Sequence, residues 1–235
     1  MARHVLLNNI DHRHVRIDTT RSAALGDAVM YALAVPSEFR SLQAHYPLVF
    51  IRDTQAQWQP VALFGFKPGQ NLFLGEQGWD AYTLPHIIER QPFAIGTQGD
   101  EPMIHLDLDS PRVRGDHGQS LFLDHGGTTA YLDRINSVLR ALGDGIAQLP
   151  AFIALLEEYR LLEPFVLDFQ LDDGSQQQLA GFHAIHEERL AALDAGALQR
   201  FQSAGFLLPL YMVVASMSNF RDLIARANRV HGDRG

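Results

Sequence analysis

The sequence predicts an α+β fold: a mainly antiparallel sheet built from short strands and hairpins, with C-terminal helices packed on it in a single domain spanning 1–235. Three observations lead there. Short extended runs bounded by Pro, Gly, Asn and Asp fill residues 46–127. Apolar residues at helical spacing dominate residues 128–229, interrupted by one hairpin signal. Strand-like and helix-like segments do not alternate as they do in βαβ units.

Residues 4–7 read as an N-terminal strand, and the rest of 1–46 as linking structure in which Val15 and Ile17 share one side. Residues 32–35 end at Pro36, after which Ser37, Glu38, Phe39 and Arg40 read as a capped helical turn. Residues 47–52 and 58–66 are strands, and the polar connection 53–57 makes them a hairpin. Pro68-Gly69 marks a turn, and 71–74 is an extended piece closed by Gly75 and Gly78. Residues 85–89 form a helical turn, and Pro92 returns the chain to extended geometry. Residues 103–108 are a strand, 110–118 a loop and 120–123 extended.

Thr128 or Thr129 caps a helix that carries Leu132, Ile135, Val138, Leu139 and Leu142 on one face, and Gly143 and Gly145 are expected to stop it. A second helix carries Leu149, Phe152, Ile153, Leu156 and Tyr159 and ends before Pro164. Residues 165–171 and 178–185 pair through the turn Asp173-Gly174. Asp194 caps a helix ending at Gly205, Pro209 opens the last helix, which runs to about Arg229, and 230–235 read as a frayed tail.

A chain of 235 residues with 46% hydrophobic and 20% charged content can bury a full core without staples. It has no cysteine, which removes disulfides, thiolate zinc sites and iron–sulfur clusters from consideration. Net charge is −8 and no basic stripe appears, so nucleic acid is not an expected partner. The N-terminus lacks a signal-peptide pattern. The longest apolar run, 206–215, is half of the ~20 residues that span a bilayer, so the expected location is cytoplasmic, with no membrane span.

The chain is organised around residues 46–93, which hold both tryptophans, five of fourteen phenylalanines and five of eleven prolines. Within it stand Tyr46-Pro47-Leu48-Val49-Phe50, Ala62-Leu63-Phe64-Gly65, Asn71-Leu72-Phe73, Gly78-Trp79, Tyr82, Pro85 and Glu89-Arg90-Gln91-Pro92-Phe93. Further on come Leu106-Asp107, Leu121-Phe122 with Gly126, Leu161-Leu162-Glu163-Pro164, Gly181-Phe182 and Ser216-Met217-Ser218-Asn219. This order resembles the SapC family of bacterial proteins, a family named after a gene associated with surface-layer protein loci. The segment at 89–93 departs from that pattern: it keeps one of two consecutive arginines and has Gln91 in place of a tyrosine. The resemblance implies a Gram-negative source. It also implies a locus shared with TonB-dependent receptors, flavin-dependent halogenase-like enzymes and cupin-like proteins, hence a role in nutrient uptake or modification of an imported compound. It implies no particular reaction.

Arg90 with Asn71, Trp79 and Tyr82 is the candidate ligand-binding constellation. A guanidinium among aromatics can hold a carboxylate or phosphate, and Trp and Tyr supply apolar walls with a polar handle. The structural alternative is that Arg90 pairs internally with Glu89 or Asp107 while Asn71 caps a turn. His105-x-Asp107 with His183 (or His186) is the candidate set for a non-haem iron oxygenase, with Arg189 available for a co-substrate. His12-x-His14 and His183-x-x-His186 read as surface features. No Gly-x-Ser-x-Gly, Walker or dinucleotide motif occurs. Phe206, Leu210, Val213, Val214 and Met217 form an apolar stripe suited to the core or to a homodimer face. Three functions follow as expectations. The first is an accessory protein that binds a small ligand or peptide without a cofactor. The others are an iron-dependent enzyme and a docking partner for an enzyme of the same locus.

Overall fold

The computed structural model describes residues 3–98 and 101–232. Near the N-terminus come β1 (His4–Leu6), β2 (Arg16–Ile17) and β3 (Tyr31–Leu33), then α1 (Phe39–Leu42), β4 (Leu48–Arg52) and β5 (Trp58–Leu63). The middle holds β6 (Leu74–Gly75), β7 (Gly78–Trp79), α2 (His86–Glu89), β8 (Phe93–Gln98), β9 (Glu101–Asp107), β10 (Val113–Arg114) and β11 (Gln119–Ser120). The remainder is α3 (Ala130–Glu158), β12 (Leu162–Gln170), β13 (Gln176–Ile185), α4 (Glu187–Ala191), α5 (Ala195–Ser203), α6 (Leu207–Ser216) and α7 (Phe220–Gly232). The result is the α+β fold the sequence predicts, and every strand pair among the described residues is antiparallel.

The main sheet has five strands in the order β12-β13-β4-β5-β3. The β4–β5 hairpin forms because Asp53 organises its turn, its carboxylate accepting the N–H groups of Gln55 at 2.8 Å and Gln57 at 2.9 Å. The turn at Asp173-Gly174 closes β12 on β13 as expected. Helix α6 lies against β4 and β13, fixed by buried Ser216, whose Oγ accepts the Leu48 N–H at 2.9 Å and donates to the Val213 carbonyl at 2.6 Å. Three residues on, Asn219 donates to the carbonyls of Gln43 and Tyr46. The C-terminal Ser-x-x-Asn block is therefore a clasp on the start of β4.

Two hydrophobic clusters form. The larger packs Phe39, Tyr46, Phe50, Phe64, Phe73, Phe152 and Phe201 between the main sheet and the C-terminal helices. The smaller packs Ile17, Phe93, Leu106, Leu121, Leu132, Ile135 and Leu139 under the ribbon β1-β9-β8. Helix α3 joins them. Thr129 caps it, accepting the Leu132 N–H at 3.3 Å.

The expectation that Gly143 and Gly145 stop this helix is overturned: α3 runs unbroken through both glycines and Pro150 for 29 residues. Gly145 is there because a side chain would not fit, since a Cβ would stand 2.5 Å from a methyl of buried Val35. Burial of Phe152 and Leu156 beyond the proline offsets the lost backbone hydrogen bond. By length and composition α3 could cross a bilayer; in this fold its apolar face carries residues of both clusters. Two more boundaries differ. Pro209 sits within the first turn of α6 rather than opening the last helix, and residues 230–232 belong to α7, while 233–235 lie outside the described residues.

Candidate functional site

Tyr46 is the hub of residues 46–93. Its ring meets Phe73 at 4.7 Å and Phe64 at 5.2 Å, and Phe64 meets Trp79 at 5.0 Å, all edge-on. The Trp79 indole N–H donates to the Tyr46 hydroxyl at 2.7 Å, which in turn donates to the Thr83 carbonyl at 2.6 Å. Burial pushes the Tyr46 phenol well above its ordinary pKa, so it stays neutral. This network holds the β6–β7 hairpin and the segment after it in place as one wall of a cleft.

The cleft has a volume of about 780 Å³. Trp79, Ala81 and Tyr82 line it on one side, Tyr131, Arg134 and Ile135 of α3 on another, and Thr20 and Arg21 at its base. Beneath Arg21 lies a fully buried ion cluster. Asp27 is 0% exposed and Arg112 1% exposed. One Arg112 nitrogen, Nη2, donates to both Asp27 oxygens at 2.6 Å, and Nη1 donates to the Thr20 carbonyl at 2.7 Å. Arg21 donates to Asp27 at 3.3 Å and to the Ile88 carbonyl at 3.2 Å. Two guanidiniums thus share one carboxylate, and the second is the one that faces the cleft. Burial and the neighbouring Arg112 charge pull the Arg21 pKa down despite Asp27. Tyr131, pushed up to about 12 by burial, is a neutral donor there. Arg134 is paired bidentately with Glu89 at 2.8 and 3.1 Å, and Glu76 stands exposed at the rim.

A side recess of about 370 Å³ adjoins the cleft through Tyr82, Leu84, Glu89 and Arg134. It contains Glu38, the last residue of the 3₁₀ turn Pro36–Glu38, and His86, the first residue of α2. The buried Glu38 carboxylate accepts the backbone N–H of His86 at 2.6 Å and of Val35 at 3.3 Å. The His86 ring nitrogen Nδ1 stands 3.4 Å from the same oxygen without hydrogen-bond geometry. Burial outweighs those two bonds and raises Glu38 to about 7, while burial lowers His86. A carboxyl near neutrality beside a neutral imidazole is equipped to exchange a proton with a bound group.

The sequence-predicted constellation is divided by the fold. Trp79 and Tyr82 line the cleft, Tyr82 fully exposed. Asn71 is a turn residue: its side chain donates to the Asp27 carbonyl at 2.8 Å and accepts the Phe73 N–H at 3.0 Å. Arg90 donates to the Phe93 carbonyl and lines a different recess. It pairs with neither Glu89 nor Asp107; Glu89 is held by Arg134, and Asp107 accepts backbone N–H groups of Arg3 and Asp109.

The metal candidates are likewise on separate sheets. His105 and Asp107 stand on β9, whereas His183 stands on β13, edge-on to Trp58 at 4.6 Å. His186 caps α4, accepting the Arg189 N–H at 3.5 Å, and Arg189 donates to the Arg160 carbonyl. Among the described residues no group of three or more His, Cys, Asp or Glu side chains is gathered to hold a metal ion.

Arg21, Asp27, Glu38, His86, Arg112, Tyr131 and Arg134 are site residues that sequence reasoning passed over. Arg21 and Asp27 stand in residues 18–30, which have no period, and Arg112 stands in a loop. The one available signal was an arginine set between Pro111 and Val113, an apolar setting for a charge.

A family model described as SapC matches residues 7–223 of the chain. No curated protein and no solved structure matches it.

Proposed function

This chain belongs to the SapC family, and on that premise we propose that it is a cytoplasmic accessory protein that binds a small acidic ligand, or the acidic end of a peptide, in the Trp79–Tyr82 cleft. The observation that carries this reading is the shared carboxylate at the base. Arg21 and Arg112 together hold one more positive charge than Asp27 neutralises, and Arg21 is the member that lines the cleft. Glu89 is already matched to Arg134, and Glu76 at the rim is screened by solvent. The role expected of Arg90 thus falls to Arg21, with Trp79, Tyr82 and Tyr131 as walls for an apolar body. Glu38 and His86 would meet a proton-bearing group of the same ligand in the adjoining recess. The resemblance at sequence level supports a role in uptake or modification of an imported compound, alongside an enzyme of the same locus.

The test is native mass spectrometry of the purified protein, combined with ¹H–¹⁵N spectra during addition of mixed small carboxylic acids. The Trp79 indole N–H, distinguished from Trp58 by a Trp58→Phe variant, reports directly from the cleft wall. A bound mass, or a shift of that signal, weakened in Tyr82→Ala and lost in Arg21→Met, is expected. An unmoved Trp79 signal with no bound mass would sink the reading.

A further inference from the structure

Next to the Asp27 cluster, meeting the cleft only at Gln91, is a recess of about 560 Å³ lined by Arg90, Pro92, Ser110 and Arg112, with Asp107 and Asp109 also on its wall. Arg90 is the C-terminal cap of α2, where the chain turns through Gln91-Pro92 into β8. Only one protein acceptor among the described residues meets its guanidinium, the Phe93 carbonyl, and no carboxylate pairs with it. Burial with no compensating charge lowers its pKa. A guanidinium has five N–H donors, so most of the capacity of this half-buried side chain is left open to the recess. Arg112, buried and immobilised by Asp27, also keeps its Nε–H without a protein acceptor among the described residues.

The recess is thus walled by two arginines, of which Arg90 has donors to spare toward it. Its carboxylates are engaged elsewhere and lie toward solvent: Asp107 takes the backbone N–H groups of Arg3 and Asp109, and Asp109 pairs with Arg3 at 3.6 Å with half its side chain exposed. Their field on the two arginines is screened accordingly. Arg90 also ties the Gln91-Pro92 turn through the Phe93 carbonyl. That tie needs one donor and no charge.

We propose that the Arg90–Arg112 recess is a second binding site, separate from the cleft, which takes a tetrahedral or planar oxyanion: the phosphate of a phosphoester or the carboxylate of an organic acid. Arg90 supplies a pair of parallel donors, the geometry in which guanidinium recognises both groups. Arg112, held by Asp27, adds a fixed positive charge behind the wall.

The experiment is a calorimetric titration of the full chain with inorganic phosphate and, separately, with succinate. Binding of one probe names the source. Arg90→Met, which keeps the length and apolar contacts of the side chain, is expected to weaken that binding at least roughly tenfold, and Arg90→Lys to recover part of it. Tyr82→Ala, which alters the cleft and its side recess but not this one, is expected to leave the Arg90-dependent part of the binding unchanged. Absence of binding by both probes overturns the proposal. So does wild-type affinity in Arg90→Met, which would put the anion on Arg21 instead. Should Arg90→Met not fold, the Nε–H signals of Arg90 and Arg112 in the wild-type chain decide the matter. Both are expected to move with phosphate or succinate, and stationary signals overturn the proposal.

Discussion

Glu38 shows how one side chain can combine structural and chemical roles. Its carboxyl bonds two backbone N–H groups that join the Pro36 turn to α2, yet burial holds its pKa near 7. Because this folded-state value lies above the unfolded one, the folded protein binds the extra proton between about pH 4.5 and 7, and Glu38 makes it less stable as pH rises through that window. The full swing is of order 3 kcal/mol. His86, lowered by burial, works in the opposite direction as pH rises toward its ordinary value. Comparing Glu38→Gln with wild type isolates the carboxyl: the variant is expected to gain relative stability from pH 5 to pH 8 in urea unfolding. A constant difference would refute the raised value. Asp27→Asn should cost about 3–5 kcal/mol in the same assay, because it strands two buried guanidiniums. A loss below about 1 kcal/mol would mean that the cluster is not the buried ion pair described here. At this scale the sequence disclosed little. Trp79 and Tyr82 could be picked out as cleft residues by type, whereas Arg21 and Arg112 meet only because segments far apart in the chain converge on Asp27.

Element by element, local chemistry was readable wherever a turn or cap is self-contained. Asp53, Asp173-Gly174, Thr129 and Asp194 each act on backbone within a few residues, and each does what its sequence context predicts. Helix α3 is the counterexample. Gly143 and Gly145 look like terminators, but the course of the helix is decided by Val35 and by the sheet against which Phe152 packs. The two glycines should therefore respond differently to the same change. Gly143 is exposed, and a Cβ there would lie 3.7 Å from Ile95, so Gly143→Ala is expected to stabilise by about 0.5–1 kcal/mol. Gly145→Ala must displace the stiff, buried Val35, and despite the same gain in helix propensity it is expected to destabilise by about 1–2 kcal/mol. Thermal unfolding of the pair checks this, and stabilisation by both would show that Val35 can move aside.

For the whole molecule, the fold class was predictable because it depends on periodicity summed over long stretches. Sheet order was not, since nothing local specifies that β13 lies beside β4. The two hydrophobic clusters share α3, so they are expected to unfold together. Both tryptophans pack by the larger cluster. Leu106→Ala in the smaller one should nevertheless lower the midpoint seen by tryptophan fluorescence as much as that seen by circular dichroism, with a cost of about 2–5 kcal/mol. Separate midpoints would instead reveal two independent units. The place of β13 also matters for the chain as it is synthesised. Val49 and Phe50 are buried in the finished sheet, yet while Pro60 pairs with Phe50 on one side, its partner on the other is His183, over a hundred residues later. At about 5–20 residues per second, a ribosome leaves that apolar edge unpaired for roughly ten seconds. During that time the nascent chain presents a strand able to recruit another copy of itself. Chains stalled near residue 160 should collect in aggregates, while full-length release lets β12 and β13 close the sheet.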